Sequence, residues 1–209
     1  MPLYLLYMEQ LITNAVLAKA ITFEQYMELT KQIAGSTNPV GIYSNPSTHR
    51  YTRSNLERMN KVLEYMTVQQ KLYNALSDVK EEWVWLVLSE PWCGDASWGT
   101  PALYVLSTVT DKIEFRILLR DEHPEIMKAY QTEGSDSIPK LICLRKSGLK
   151  ELGTWGPRPK ALQGIITALR SQPNIDYRES VRALHAWYDA DMTHSIQHEL
   201  IDLVKEWSN

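Results

Sequence analysis

The sequence predicts an α/β protein: a three-layer unit, a central mixed sheet with helices on both faces, with helical extensions on its N- and C-terminal sides. Three observations carry this. Trp83-Val84-Trp85-Leu86-Val87-Leu88 is a short β-branched and aromatic run, the pattern of a strand buried on both faces. Strands and helices then alternate and close on a hairpin, the order of a layered α/β unit. On either side, apolar residues recur at steps of three and four, the period of a helix with one buried stripe.

In chain order, Thr22-x-x-Gln25 has the form of a capping box and starts a helix that runs to about Ala34. Residues 35–46, GSTNPVGIYSNP, concentrate Gly, Ser, Asn and Pro and predict a loop. From Ser54 to Leu76 the positions Leu56, Met59, Val62, Leu63, Met66, Leu72 and Leu76 predict one bent helix or two short ones. After the strand at 83–88 come a helix over 97–107, a strand over 113–119 and a helix over 124–131. A strand over 140–144, a turn at Lys146-Ser147-Gly148, a strand over 149–154 and a helix over 159–169 complete the sheet unit. The tail from Tyr177 to Trp207 is helical by period, and its apolar positions are expected to pack on the N-terminal helices. The expected division is an N-terminal helical extension over 1–80, whose last helix belongs to the sheet unit, the sheet unit over 81–172, and a C-terminal helical extension over 173–209.

The chain has 209 residues, with 22 Lys plus Arg against 25 Asp plus Glu and a formal charge of -3. That balance lacks the basic footprint of a protein that neutralises many phosphates, so nucleic acid is not an expected partner. Two cysteines, 50 positions apart, build neither a multi-bridge framework nor a four-thiolate metal site, and fit a reducing, cytoplasmic compartment. Ala18-Lys19-Ala20 has the small residues of a cleavage site, but no basic stretch precedes it and Glu9 and Gln10 interrupt the apolar run, so a cleaved signal is not expected. No membrane span is expected either.

The sharpest local pattern is Glu90-Pro91-Trp92-Cys93-Gly94-Asp95-Ala96, directly after a buried strand and directly before a helix. A cysteine there meets unpaired backbone N–H groups and the positive end of the helix dipole, both of which favour thiolate. The plainer reading is a small, packed, unreactive side chain. Asp191, His194 and His198 share one face by helical spacing and offer three ligands to a divalent metal. With no cysteine partner and no hydrolase motif, ordinary surface histidines are expected, and no metal.

Trp92-Cys93-Gly94 resembles the start of the thioredoxin active-site motif. Ser137-Ile138-Pro139-Lys140, with the strand and Lys-x-Gly turn that follow, resembles the thioredoxin cis-proline segment, and Gly156 falls where thioredoxins carry a glycine beside the active-site groove. The resemblance covers residues 83–171 and implies a thioredoxin-like fold. The WCGDA motif and GTWGPRP segment are also similar to a bacterial subgroup of thioredoxin-family proteins. By this resemblance Trp92, Ile138 and Gly156 outline a peptide groove, with the Ile138 backbone offering strand-like hydrogen bonds opposite Cys93.

The departures bear on function. Ala96 stands where the second cysteine is required, so Cys93 cannot close a disulfide within its motif. Cys143, four residues beyond Pro139, lies roughly 13 Å along a strand and is expected to be buried and inert. Val87 stands where thioredoxins bury an acid. Asp95 replaces the motif's proline, and its charge opposes the helix dipole at comparable size, so the direction of the Cys93 shift is left open. Arg158 is either part of a stiff loop or a cation near Cys93, able to stabilise thiolate or grip a carboxylate such as that of glutathione.

Two functions follow. The first is monothiol exchange through mixed disulfides of Cys93 with a protein thiol or a small thiol such as glutathione, released by an external thiol. The second is a redox-inactive module that holds an extended peptide or partner protein beside Pro139. A peroxidase or glutathione-activating transferase is a third reading and would depend on Arg158.

Overall fold

The computed structural model describes residues 11–172 and 176–209. The segment containing Glu9 and Gln10 lies outside them. In chain order the helices and strands are α1 (Asn14–Leu17), α2 (Phe23–Gly35), α3 (Pro46–Tyr65), α4 (Gln70–Ser77), β1 (Trp83–Ser89), α5 (Ala96–Ser107), β2 (Ile113–Leu119), α6 (Pro124–Ala129), β3 (Lys140–Arg145), β4 (Glu151–Trp155), α7 (Lys160–Arg170), α8 (Tyr177–Asp191) and α9 (His194–Trp207). Among the described residues, no helix is long and apolar enough to cross a membrane.

The strands form one mixed sheet in the order β2-β1-β3-β4, with β1 parallel to β2 and antiparallel to β3. All seven residues of β1 are buried, as its sequence predicts. Its alternation divides the core between two faces. Trp83, Trp85 and Val87 join a large cluster with residues of α2 to α5 and α7 to α9, whereas Val84, Leu86 and Leu88 pack with Ile12 and with Ile126 and Met127 of α6. Trp207 of α9 stands edge-on to Trp83 and Trp85, with centroids 6.3 and 6.4 Å away, a geometry that adds about 0.5–1.5 kcal/mol per pair beyond area burial.

The capping box forms: Gln25 N–H donates to Thr22 Oγ1, and Thr22 N–H to Gln25 Oε1 at 2.9 Å. Other boundaries depart from expectation. The stripe expected to begin at Ser54 belongs to a helix that begins at Pro46, because Asn45 caps it through Ser47 N–H at 2.9 Å and Pro46 fits the first helical turn. A second helix, α4, follows after a break, which Gln197 of α9 fills by accepting from Gln69 N–H at 2.7 Å and donating to the Thr67 carbonyl at 3.0 Å. The last strand starts at Glu151 rather than Leu149, since Leu149 adopts a φ of 53° in the turn. The helical tail is two helices, divided where Met192 and Thr193 take φ values of 46° and 70°. It packs on the N-terminal helices, with Lys61 of α3 paired to Asp189 of α8 at 2.6 Å.

Candidate functional site around Cys93

The turn between β1 and α5 carries the motif. Cys93 N–H donates to the Glu90 carbonyl at 3.1 Å, and the Cys93 carbonyl accepts from Ser97 N–H at 3.1 Å, so the cysteine sits at the mouth of α5. Across from it the Ile138–Pro139 peptide is cis, and the Cys93 thiol donates to the Ile138 carbonyl at 3.3 Å. Burial, reinforced by the Asp95 carboxylate, pushes the thiol up to about 12; backbone N–H groups of Ala96 and Asp95 and the charge of Arg158 offset only part of this. The direction that local sequence leaves open is therefore upward, and packing decides it.

Asp95 is no ordinary first-turn acid, for its side chain makes no cap bond. Arg158 grips it with both forks, Nε to Oδ1 at 3.0 Å and Nη2 to Oδ2 at 2.6 Å, and the Tyr188 hydroxyl donates to Oδ1 at 3.0 Å. The ion pair is only 10% and 6% exposed. The third guanidinium nitrogen donates to Gln163 Oε1 at 3.0 Å. Arg158 is thus next to the motif, but its forked face is committed to a carboxylate of the same chain.

Three residues that local patterns do not single out complete the surroundings. Trp98 donates its indole N–H to His185 Nδ1 at 3.3 Å and stacks on Tyr188 at 5.4 Å. The His185 ring lies over Gly94 so closely that a β-carbon there would crowd it. Burial, with the nearby Arg58 charge, holds His185 down to about 4, so it is a neutral acceptor. His185 and Tyr188 stand three apart on the tail helix; that spacing is visible in the sequence, but not that the tail folds over the motif.

The cleft beside Cys93 has a volume of about 330 Å³ and is walled by Trp92, Arg120, Ile138, Leu184 and His185. Arg120 stacks over the Trp92 ring at 4.7 Å, and the Trp92 indole N–H donates to Asp121 at 3.3 Å. Of the predicted residues, Trp92, Cys93, Gly94, Asp95, Ile138 and Arg158 line the cleft. Ala96 and Pro139 are buried behind its wall. Gly156, expected along the groove, does not line it: it packs against the Pro139 carbonyl with a φ of 112°, while α8 supplies part of the wall through Leu184 and His185. Cys143 is buried on β3, register partner of Trp85 and Gly153, and burial raises its thiol too. Val87 lies among apolar neighbours with no acid in its place. Asp191 caps the start of α9, accepting from Ser195 N–H at 3.0 Å and Ser195 O–H at 2.6 Å. Among the described residues, no three His, Cys, Asp or Glu side chains are grouped to hold a metal.

Glu90, under the motif, is 3% exposed, accepts from Asp121 N–H at 2.9 Å and faces the Tyr43 hydroxyl at 3.5 Å. Burial raises its carboxyl from 4.5 to about 7. Between those values the folded chain holds a proton that the unfolded chain has lost, so stability is expected to fall as pH rises from 4.5 through about 7 and then to level off. A displacement of this size corresponds to about 3 kcal/mol. Urea unfolding of wild type and Glu90→Gln at about pH 5 and about pH 8 checks it: the variant should lose most of that slope.

A family model described as Thioredoxin matches residues 41–170. No curated protein matches the sequence. Among solved structures, a protein of unknown function from Pseudomonas aeruginosa superposes with a TM-score of 0.58 at 17% identity, covering 93% of this chain and 98% of that one. An HIV epitope scaffold superposes with a TM-score of 0.57 at 15% identity, over 93% and 98% of the two chains. These likenesses show the fold. The family match, which spans more than half of the sequence, shows by itself that the chain belongs to the thioredoxin family.

Proposed function

We propose that this protein uses the thioredoxin cleft to bind a partner segment without thiol–disulfide exchange, within a bacterial subgroup whose motif ends in Asp-Ala. The observation that carries this reading is the forked Arg158–Asp95 pair. The cation that would favour a Cys93 thiolate is bound to a carboxylate that disfavours it, and with burial the thiol stays protonated far above neutral pH. What the cleft retains is recognition chemistry: an aromatic wall at Trp92, the Ile138 backbone, and the neutral imidazole of His185.

A phage-displayed peptide library selected under reducing conditions tests this. Enriched peptides should bind Cys93→Ser as tightly as wild type; binding that requires Cys93 would overturn it. In a Cys143→Ser background, iodoacetamide should modify Cys93 slowly at neutral pH, with the rate rising through about pH 10 and beyond.

Monothiol exchange is the second reading, favoured by one observation: Cys93 is half-buried rather than fully enclosed and lines the cleft. There the thiolate would attack a partner disulfide, expelling one partner sulfur as thiolate, and an external thiol such as glutathione would release the mixed disulfide. An apparent Cys93 pKa below the free value of about 8.5 would select this reading over the first. Both readings suit a reducing compartment such as the cytoplasm, where Cys93 and Cys143 stay free.

A further inference from the structure

Beside the Cys93 cleft lies a larger cavity of about 580 Å³ between α3 and α8. Arg50 and Arg58 reach it from α3, and Arg178 and Arg182 from α8. Four guanidinium groups around one cavity are out of keeping with a chain whose net charge is -3. The carboxylate lining it, Asp189, is taken by Lys61 at 2.6 Å. Elsewhere arginines are neutralised within the fold: Arg116 by Glu114, Arg120 by Asp121, Arg145 by Glu81 and Arg158 by Asp95. Among the described residues, Arg50, Arg178 and Arg182 form no ion pair with a carboxylate.

Arg58 is the anchored member. Its Nη1 donates to Asn55 Oδ1 at 3.0 Å, and Asn55 is itself held by donating to the Pro91 carbonyl at 2.9 Å. Burial disfavours the Arg58 charge, with Asp189 and Glu57 in partial compensation, a cost that a bound anion would relieve. The hydroxyls of Ser47, Tyr51 and Ser54 add neutral donors to the same walls. Tyr51, Val181 and His185 border both this cavity and the Cys93 cleft, so the two adjoin.

We propose that the cavity between α3 and α8 is a binding site for a phosphate-bearing anion, whose phosphate is held by Arg50, Arg58, Arg178 and Arg182 and whose remaining part extends past Tyr51 and His185 toward the Cys93 cleft. Guanidinium groups suit this ligand because their planar forks match phosphate oxygens two at a time. The volume suits an organic phosphate better than a lone inorganic ion. The site does not depend on Cys93 and goes beyond peptide binding in the cleft.

Calorimetric titration of the full chain with inorganic pyrophosphate at low ionic strength tests it. Saturable one-to-one binding is expected, weakened about tenfold or more in the double variant Arg50→Gln/Arg182→Gln, since each charge-assisted contact is of that order. Both side chains are exposed, so the fold should survive, which the far-ultraviolet spectrum and thermal midpoint verify; Arg178→Gln alone should weaken binding in the same direction. Arg53→Gln, an exposed α3 residue outside the cavity, should bind as wild type. The proposal is overturned by absence of saturable heat up to about 1 mM, an affinity too weak for a built site. Equal weakening by Arg53→Gln, reporting diffuse surface charge, overturns it too. So does citrate binding as tightly as pyrophosphate, since the site would then not distinguish phosphate from carboxylate.

Discussion

Replacing Arg158 by alanine is expected to destabilise the fold by about 3–5 kcal/mol, the cost of leaving a buried charge without its partner. Asp95 is 6% exposed on its side chain and would keep only the Tyr188 hydroxyl as a side-chain donor. Removing both charges should do less. Asp95→Leu combined with Arg158→Met is expected to cost about 1–3 kcal/mol: an apolar pair replaces an ion pair whose desolvation offsets much of its attraction, but the buried Tyr188 hydroxyl loses its acceptor. Urea-unfolding midpoints with an unchanged slope measure both. A loss below about 1 kcal/mol for Arg158→Ala would mean that the pair behaves as a solvated surface bridge. In the double variant the iodoacetamide rate of Cys93 tests the cause of its shift: burial is the larger influence, so the thiol should remain slow.

The second large effect is expected at Gly156→Ala. A β-carbon there would overlap the Pro139 carbonyl oxygen, a backbone atom that cannot swing aside, and φ is 112°, a conformation side chains rarely adopt. Strain and overpacking together should cost about 3–5 kcal/mol, a fall in thermal midpoint of about 10 °C for a chain of this size. Gly134→Ala is the control. Its φ is 76° but nothing lies within 4 Å of the added carbon, so the conformational cost alone, about 1 kcal/mol, should appear. If the two variants melt together, the contact with Pro139 has no energetic weight.

The sheet unit was legible because its signals are local. The run of β1, the strand after Pro139 and the Lys-x-Gly turn each read correctly without knowledge of what packs on them. The start of α3 was hidden for a local reason as well: Asn45-Pro46 is both a cap with a first-turn proline and the end of a Pro- and Asn-rich loop, and composition favoured the loop. The state of Cys93 was not legible. Dipole and Asp95 nearly cancel within the motif, and the deciding influence is burial, a tertiary property. Arg158 reads either as part of a stiff loop or as a cation near the motif; it lies beside the motif, but its bond to Asp95 spans 63 positions and nothing local encodes it. The same holds for His185, whose contact with Trp98 spans 87.

The edge-on packing of Trp207 against Trp83 and Trp85 bears on how the chain is made. Synthesis runs from β1 toward α9 at about 5–20 residues per second, so the two β1 tryptophans wait on the order of ten seconds for the helix that covers them. During that interval α2 to α5 can pack on this face of the strand, but the indole rings lack their edge-on partner. A ribosome stalled within α9 therefore leaves this aromatic cluster incomplete and partly open to chaperones and neighbouring nascent chains.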